Sequence, residues 1–93
     1  METMLTMLKT DLGIRTSTAY DVRLTQLLTA ADTAIRKEGA STLDASDPLD
    51  AQLIVMYAAW LWRRRDNMEG MPRMLRWTLN NRIFSEKAGA TDG

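Results

Sequence analysis

Residues 53–62, LIVMYAAWLW, carry no charge, and Arg63, Arg64 and Arg65 follow at once. Asp47 and Pro48 open this segment as a helix start does, with an aspartate to cap the free N–H groups and a proline in the first turn. A helix that is apolar on every side has to be surrounded. A chain of 93 residues has few other elements with which to do so. Either the rest of the chain wraps this helix, or copies of the chain cover it for one another. Its two apolar faces are Leu49, Leu53, Met56, Tyr57 and Trp60 on one side and Ile54, Ala58, Leu61 and Trp62 on another. We expect one face to pack on helices two and four of the same chain and the other to lie near a neighbouring copy.

The length sets one small domain. A fold of this size buries only roughly 60–65% of the surface its unfolded chain exposes, so its stability margin is thin. Twelve basic residues balance twelve acidic ones, whereas a dedicated nucleic-acid binder carries a basic excess. The charge is nevertheless split: residues 1–50 hold eight acids and five bases, and residues 51–93 hold four acids and seven bases. Such a division suits contact between unlike ends of two copies. There is no cysteine and hence no disulfide framework. The first residues lack a basic segment and a long apolar core, and the apolar run is far short of the ~20 residues that span a bilayer. The expectation is a soluble, cytoplasmically made protein with no membrane partner.

Four helices account for the pattern, two short and two long. The first covers residues 4–12, with Thr3 as cap, Leu8 and Leu12 at helical spacing, and Gly13 after its end. The second runs from Ala19 to Glu38, with Thr18 and Asp21 as an acidic capping box and a stripe of Tyr20, Leu24, Leu27, Leu28, Ala31 and Ile35. Residues 39–47 are a loop. The third helix runs from Pro48 to about Asp66, and the fourth starts at Pro72 and ends near Ile83 or Phe84. The inner stripe of the fourth is Met71, Met74, Leu75, Thr78, Leu79 and Arg82. The division is therefore a helical domain over residues 1–84 and a polar tail over residues 85–93. The fold class is all-α, a small four-helix domain.

The absences bear on chemistry. With neither histidine nor cysteine, the usual zinc sites, Cys/His dyads and Ser-His-Asp triads cannot be built. No glycine-rich phosphate loop is present. Asp44, Asp47 and Asp50 read as loop and capping residues. No enzyme and no cofactor are expected. Arg63, Arg64 and Arg65, with Arg73 and Arg76, invite a phosphate-binding reading, set against a simpler one in which cations suit the negative end of a helix. Trp60, Trp62 and Trp77 divide between core and interface. An off-stripe Trp77 flanked by Arg73 and Arg76 has the composition of protein–protein contacts, where Trp and Arg are enriched.

Four stretches resemble a known family: LKTDLGI (8–14), YDVRLTQLLTAA (20–31), DAQLIVMYAAWL (50–61) and GMPRMLRWTLNNR (70–82). In order and spacing they are similar to the head–tail connector (adaptor) proteins of tailed bacteriophages, the small helical family often described as DNA-packaging proteins. The resemblance implies a virion protein of the head–tail interface, assembled in the host cytoplasm as a homo-oligomeric, commonly dodecameric, ring. It implies portal protein as one partner and a downstream head-completion (stopper) or tail protein as another. Genomic DNA would pass through the channel without sequence-specific binding. No catalytic residue is carried over. Trp60, Trp62, Arg63, Arg64, Arg65, Arg73, Arg76 and Trp77 are the expected subunit or partner interface, and Phe84, Ser85, Glu86 and Lys87 the expected portal-binding part of the tail. The alternative is a small helical nucleic-acid-binding regulator that uses the arginine cluster.

Overall fold

The computed structural model describes residues 2–14, 16–64 and 70–92, with the backbone alone at residues 2 and 89–92. Helix α1 spans Glu2–Leu12, α2 Asp21–Glu38, α3 Pro48–Arg64 and α4 Arg73–Asp92. The described residues form no strand. The expected continuation of α3 to about Asp66 lies outside the described residues.

The helix ends follow local chemistry. Asp47 Oδ1 accepts the N–H groups of Leu49 (2.8 Å) and Asp50 (3.3 Å), and caps α3 as its sequence requires. Gly39 closes α2 at φ +135°: its N–H reaches the Arg36 carbonyl (3.2 Å), and that of Ala40 reaches Ile35 (3.3 Å). The expected capping box at Thr18 and Asp21 does not form. Tyr20 occupies the cap position of α2 without a side-chain bond. The Asp21 carboxylate turns instead to Lys9 Nζ of α1, 2.9 Å away, where it meets a full charge.

Helix α3 is wrapped by its own chain. Leu53, Ile54, Val55, Tyr57, Ala58, Ala59 and Trp60 are all buried and cover about 260° of the helix; the remaining sector holds Leu49, Gln52 and Met56. The core they form includes Leu24, Leu27, Leu28, Ala31 and Ile35 of α2 with Met4 and Leu8 of α1, and α1 and α2 both pack on α3. Ile54 and Ala58 of the second face are buried and Leu61 and Trp62 partly so, whereas the first face leaves Leu49 exposed and Met56 half-buried. Helix α1, though short, adds Met4 and Leu8 to the cover of α3.

Helix α4 departs furthest from expectation. It is the longest of the four helices, 20 residues, and continues through the segment expected as a tail. No proline interrupts residues 73–92, and Glu86 is anchored to the loop after α2. Leu75 and Leu79 are buried and Ile83 partly so. Met74, on the expected inner stripe, is instead exposed. A helix of 20 residues is ~30 Å long, in a molecule that measures 46 × 28 × 17 Å.

Candidate docking surfaces

A polar clasp fastens α4. Arg82 Nε meets Asp50 Oδ1 at 2.7 Å and Arg82 Nη2 meets Asp50 Oδ2 at 3.2 Å, a two-point grip on an aspartate that is only 6% exposed. Asp50 Oδ2 also accepts the Asp44 N–H at 3.0 Å. Arg82 Nη2 donates further to Thr42 Oγ1 (3.1 Å). One turn on, Glu86 receives four bonds: Oε1 from the N–H (2.7 Å) and hydroxyl (2.6 Å) of Thr42, and Oε2 from the N–H (3.0 Å) and hydroxyl (2.7 Å) of Ser41. The Thr42 and Ser41 hydroxyls, with their N–H groups, hold the Glu86 carboxyl down to about 2. The grip of Asp50 in turn raises the Arg82 guanidinium above its ordinary value. At the other end of α4, Arg76 Nη1 pairs with Glu38 Oε1 at 3.1 Å.

Beside the clasp, α3 and α4 leave a groove of about 450 Å³. Leu49, Leu53, Met56, Met74 and Trp77 form its apolar wall, and Gln52, Asn81 and Ser85 lie among its polar margins. Leu49 is 77% exposed and Trp77 64%; with Met74 they make an apolar surface that the chain itself does not cover. Phe84, 74% exposed, extends it along the outer side of α4.

The residues expected at an interface fall into different settings. Trp60 is buried, edge-on to Tyr57 with centroids 5.4 Å apart, and the Arg64 guanidinium lies 4.9 Å over its ring. That pairing is a cation–π contact at the end of the core. Trp62 is half-buried and edge-on to Tyr20 at 5.3 Å. Arg63 turns to the last turn of α1, with Nη2 3.5 Å from the Asp11 carbonyl, where the negative end of a helix favours a cation. Arg65 lies outside the described residues. Arg73 is exposed at the first position of α4, and Arg76 is taken by Glu38. Arg63, Arg64 and Arg76 therefore each meet a different group of their own chain. Of the expected portal-binding residues, Phe84, Ser85 and Lys87 are exposed, whereas Glu86 is spent on the clasp.

The clasp is absent from the sequence expectations. One signal for it exists: Arg82 stands in an otherwise apolar and small inner stripe, and a charge so placed calls for a buried partner. At the opposite end of α3 from its arginines, Asp44 and Asp47 are exposed. The Asp44 carboxyl is lowered by the Ser46 hydroxyl and then by the Ser46 N–H, which favours its charged form. Burial, then Glu38, raises the Tyr57 hydroxyl and keeps it neutral. Among the described residues no group of three or more acidic side chains is placed to hold a metal ion, and no helix is long and apolar enough to cross a membrane. Comparison with family models, with curated proteins and with solved structures gives no match for this chain.

Proposed function

We infer that this protein is a structural assembly subunit, a head–tail connector of a tailed bacteriophage, and that its work is to pack against other protein subunits without chemistry. The observation that carries the reading is the uncovered apolar surface of Leu49, Met74, Trp77 and Phe84. The resemblance of residues 8–82 to the connector family gives that surface its context. In this reading the chain forms a ring, commonly dodecameric, beneath the portal, extends the DNA channel and receives a head-completion or tail protein.

Ring closure needs a heterologous contact, one surface of a copy against a different surface of the next. Helix α3 supports such a contact by its ends. Asp44 and Asp47 are exposed at one end and Arg63 and Arg64 at the other, roughly 24 Å away at 1.5 Å per residue. Unlike charges on opposite ends steer copies head to tail and disfavour like ends meeting. Arg63, Arg64 and Arg65 act in this reading as subunit contacts, and DNA is met only as a polymer that passes through the ring.

Electron microscopy of the protein mixed with its portal tests the reading. A ring of density on the portal is the expected result, and Asp44→Lys should weaken it while the circular dichroism spectrum stays helical; Asp47 is left in place because it caps α3. Absence of any association across salt and protein concentration would remove the connector reading. Tight, steeply salt-dependent binding to duplex DNA by the chain alone would favour the regulator instead.

A further inference from the structure

Helix α4 has two sides. The side toward its own chain carries Leu75, Leu79, Ile83, Arg82 and Glu86. On the opposite side Met74, Trp77, Asn81, Phe84 and Ala88 follow at steps of three, four, three and four residues, and all five are exposed. At 100° per residue they fall within an arc of about 80° centred opposite Leu79. This is the spacing of a coiled-coil seam, with Met74, Asn81 and Ala88 at a positions and Trp77 and Phe84 at d positions. A single asparagine at an a position is the device that fixes register and strand number in a self-paired helix. Its amide carries both donor and acceptor, so across a two-fold axis an identical amide is its own complement.

We propose that the occupant of this seam is a second copy of the chain, bound α4 against α4 in parallel about a two-fold axis. The flanks select the occupant and the direction. The g positions are Arg73, Asn80 and Lys87, and the e positions are Thr78 and Ser85. An antiparallel pair sets g against g, with Arg73 opposite Lys87 of the second copy; a parallel pair sets Arg73 against Thr78 and Asn80 against Ser85, without like-charge contact. The exposed face of α2 is a poorer occupant, because Arg23 and Lys37 border it and would oppose the same basic flanks. Two tryptophans and two phenylalanines, each able to bury roughly 150–250 Å² and here 64% and 74% exposed, offer on the order of 400–700 Å² in the pair. With Met74 and Asn81 added, the contact stays near or below the ~1,200 Å² lower bound of stable interfaces, so the dimer dissociates on dilution. The pairing rests on the same uncovered surface that supports the connector reading, but its contact is isologous, whereas the ring contact joins the two ends of α3, so the two can fail separately.

The chain lacks cysteine, so a single introduced thiol reports cleanly. In a parallel pair residue 88 faces its own copy at the end of the seam; in an antiparallel pair it faces residue 74. Sedimentation of the unmodified chain over a concentration series should show monomer passing to dimer and no further. Under mild oxidant Ala88→Cys should yield a covalent dimer. Phe84→Asp in that background should lose both the dimer and the crosslink while the helical signal is retained, since Phe84 is outside the core. A monomer at every concentration, a crosslink that survives Phe84→Asp, or a crosslink that needs Met74→Cys mixed with Ala88→Cys would each overturn the proposal. A monomer that still forms a ring on portal would remove the pairing alone. A dimer that never joins portal would leave the pairing in place and remove the connector reading.

Discussion

Replacing Arg82 with methionine tests how far α4 depends on its clasp. The methionine keeps most of the aliphatic stem but removes the cation from an ion pair whose side chains are 20% (Arg82) and 8% (Asp50) exposed. Breaking a buried pair by deleting one partner costs about 3–5 kcal/mol, because the other charge stays behind uncompensated. Asp50 would keep the Asp44 N–H, which places the loss near the lower figure, about 3 kcal/mol. A domain of this length has a net stability of roughly 5–14 kcal/mol, so the loss is a large share of it. At about 4–8 °C per kcal/mol, Tm should fall by ~12–24 °C. Urea unfolding followed by circular dichroism should show a lower midpoint at an unchanged slope. Asp50→Leu combined with Arg82→Met should recover much of the loss, since an apolar pair has no charge to strand. A single-variant loss below about 1 kcal/mol, or a double variant as costly as the sum of the singles, would show that Asp50 and Arg82 are not coupled.

Leu79→Ala, at a side chain with no exposure, should cost about 2–5 kcal/mol in urea unfolding and loosen α4 from α3. Gly39→Ala should lower the midpoint as well: the residue sits at φ +135°, and an added Cβ would stand 3.0 Å from Ile83 Cγ2, so strain and crowding act together. The Glu86 carboxyl, ordinarily near 4.5, is held at about 2 in the folded chain. Its contribution is therefore complete above pH 4.5 and is lost as the pH falls from 4.5 toward 2. The unfolding midpoint of the unmodified chain should converge on that of Glu86→Gln across this window, and a constant gap between the two would refute the assignment.

What is legible in the sequence follows a simple division. Periodicity and turn chemistry mark the stripe of α2, the capping aspartate of α3 and the glycine after α2, because each is decided by neighbours within a few residues. The clasp joins Asp50 to Arg82 and Thr42 to Glu86, over 32 and 44 positions, and no local rule pairs residues that far apart. The length of α4 is hidden for the same reason. Residues 85–92 have no apolar stripe of their own, but one carboxylate bonded to Ser41 and Thr42 anchors the turn from which they continue. Likewise Asp21 has the spacing of a cap, but Lys9, on another helix, comes within 2.9 Å and takes it.

The same division relocates the question posed by residues 53–62. Ten apolar residues on one helix demand cover, and the choice lies between the chain and its copies. Met4 and Leu8 of α1, with the leucines of α2, close most of that helix, so the need for neighbours passes to α4. Helix α4 is attached on one side by Leu75, Leu79 and a set of charged and hydroxyl groups, and its other side carries Trp77 and Phe84 to solvent. The exposed apolar surface of Trp77 and Phe84 carries a cost that cover by another subunit would offset, and that is the physical reason to propose this small domain as a piece of an assembly.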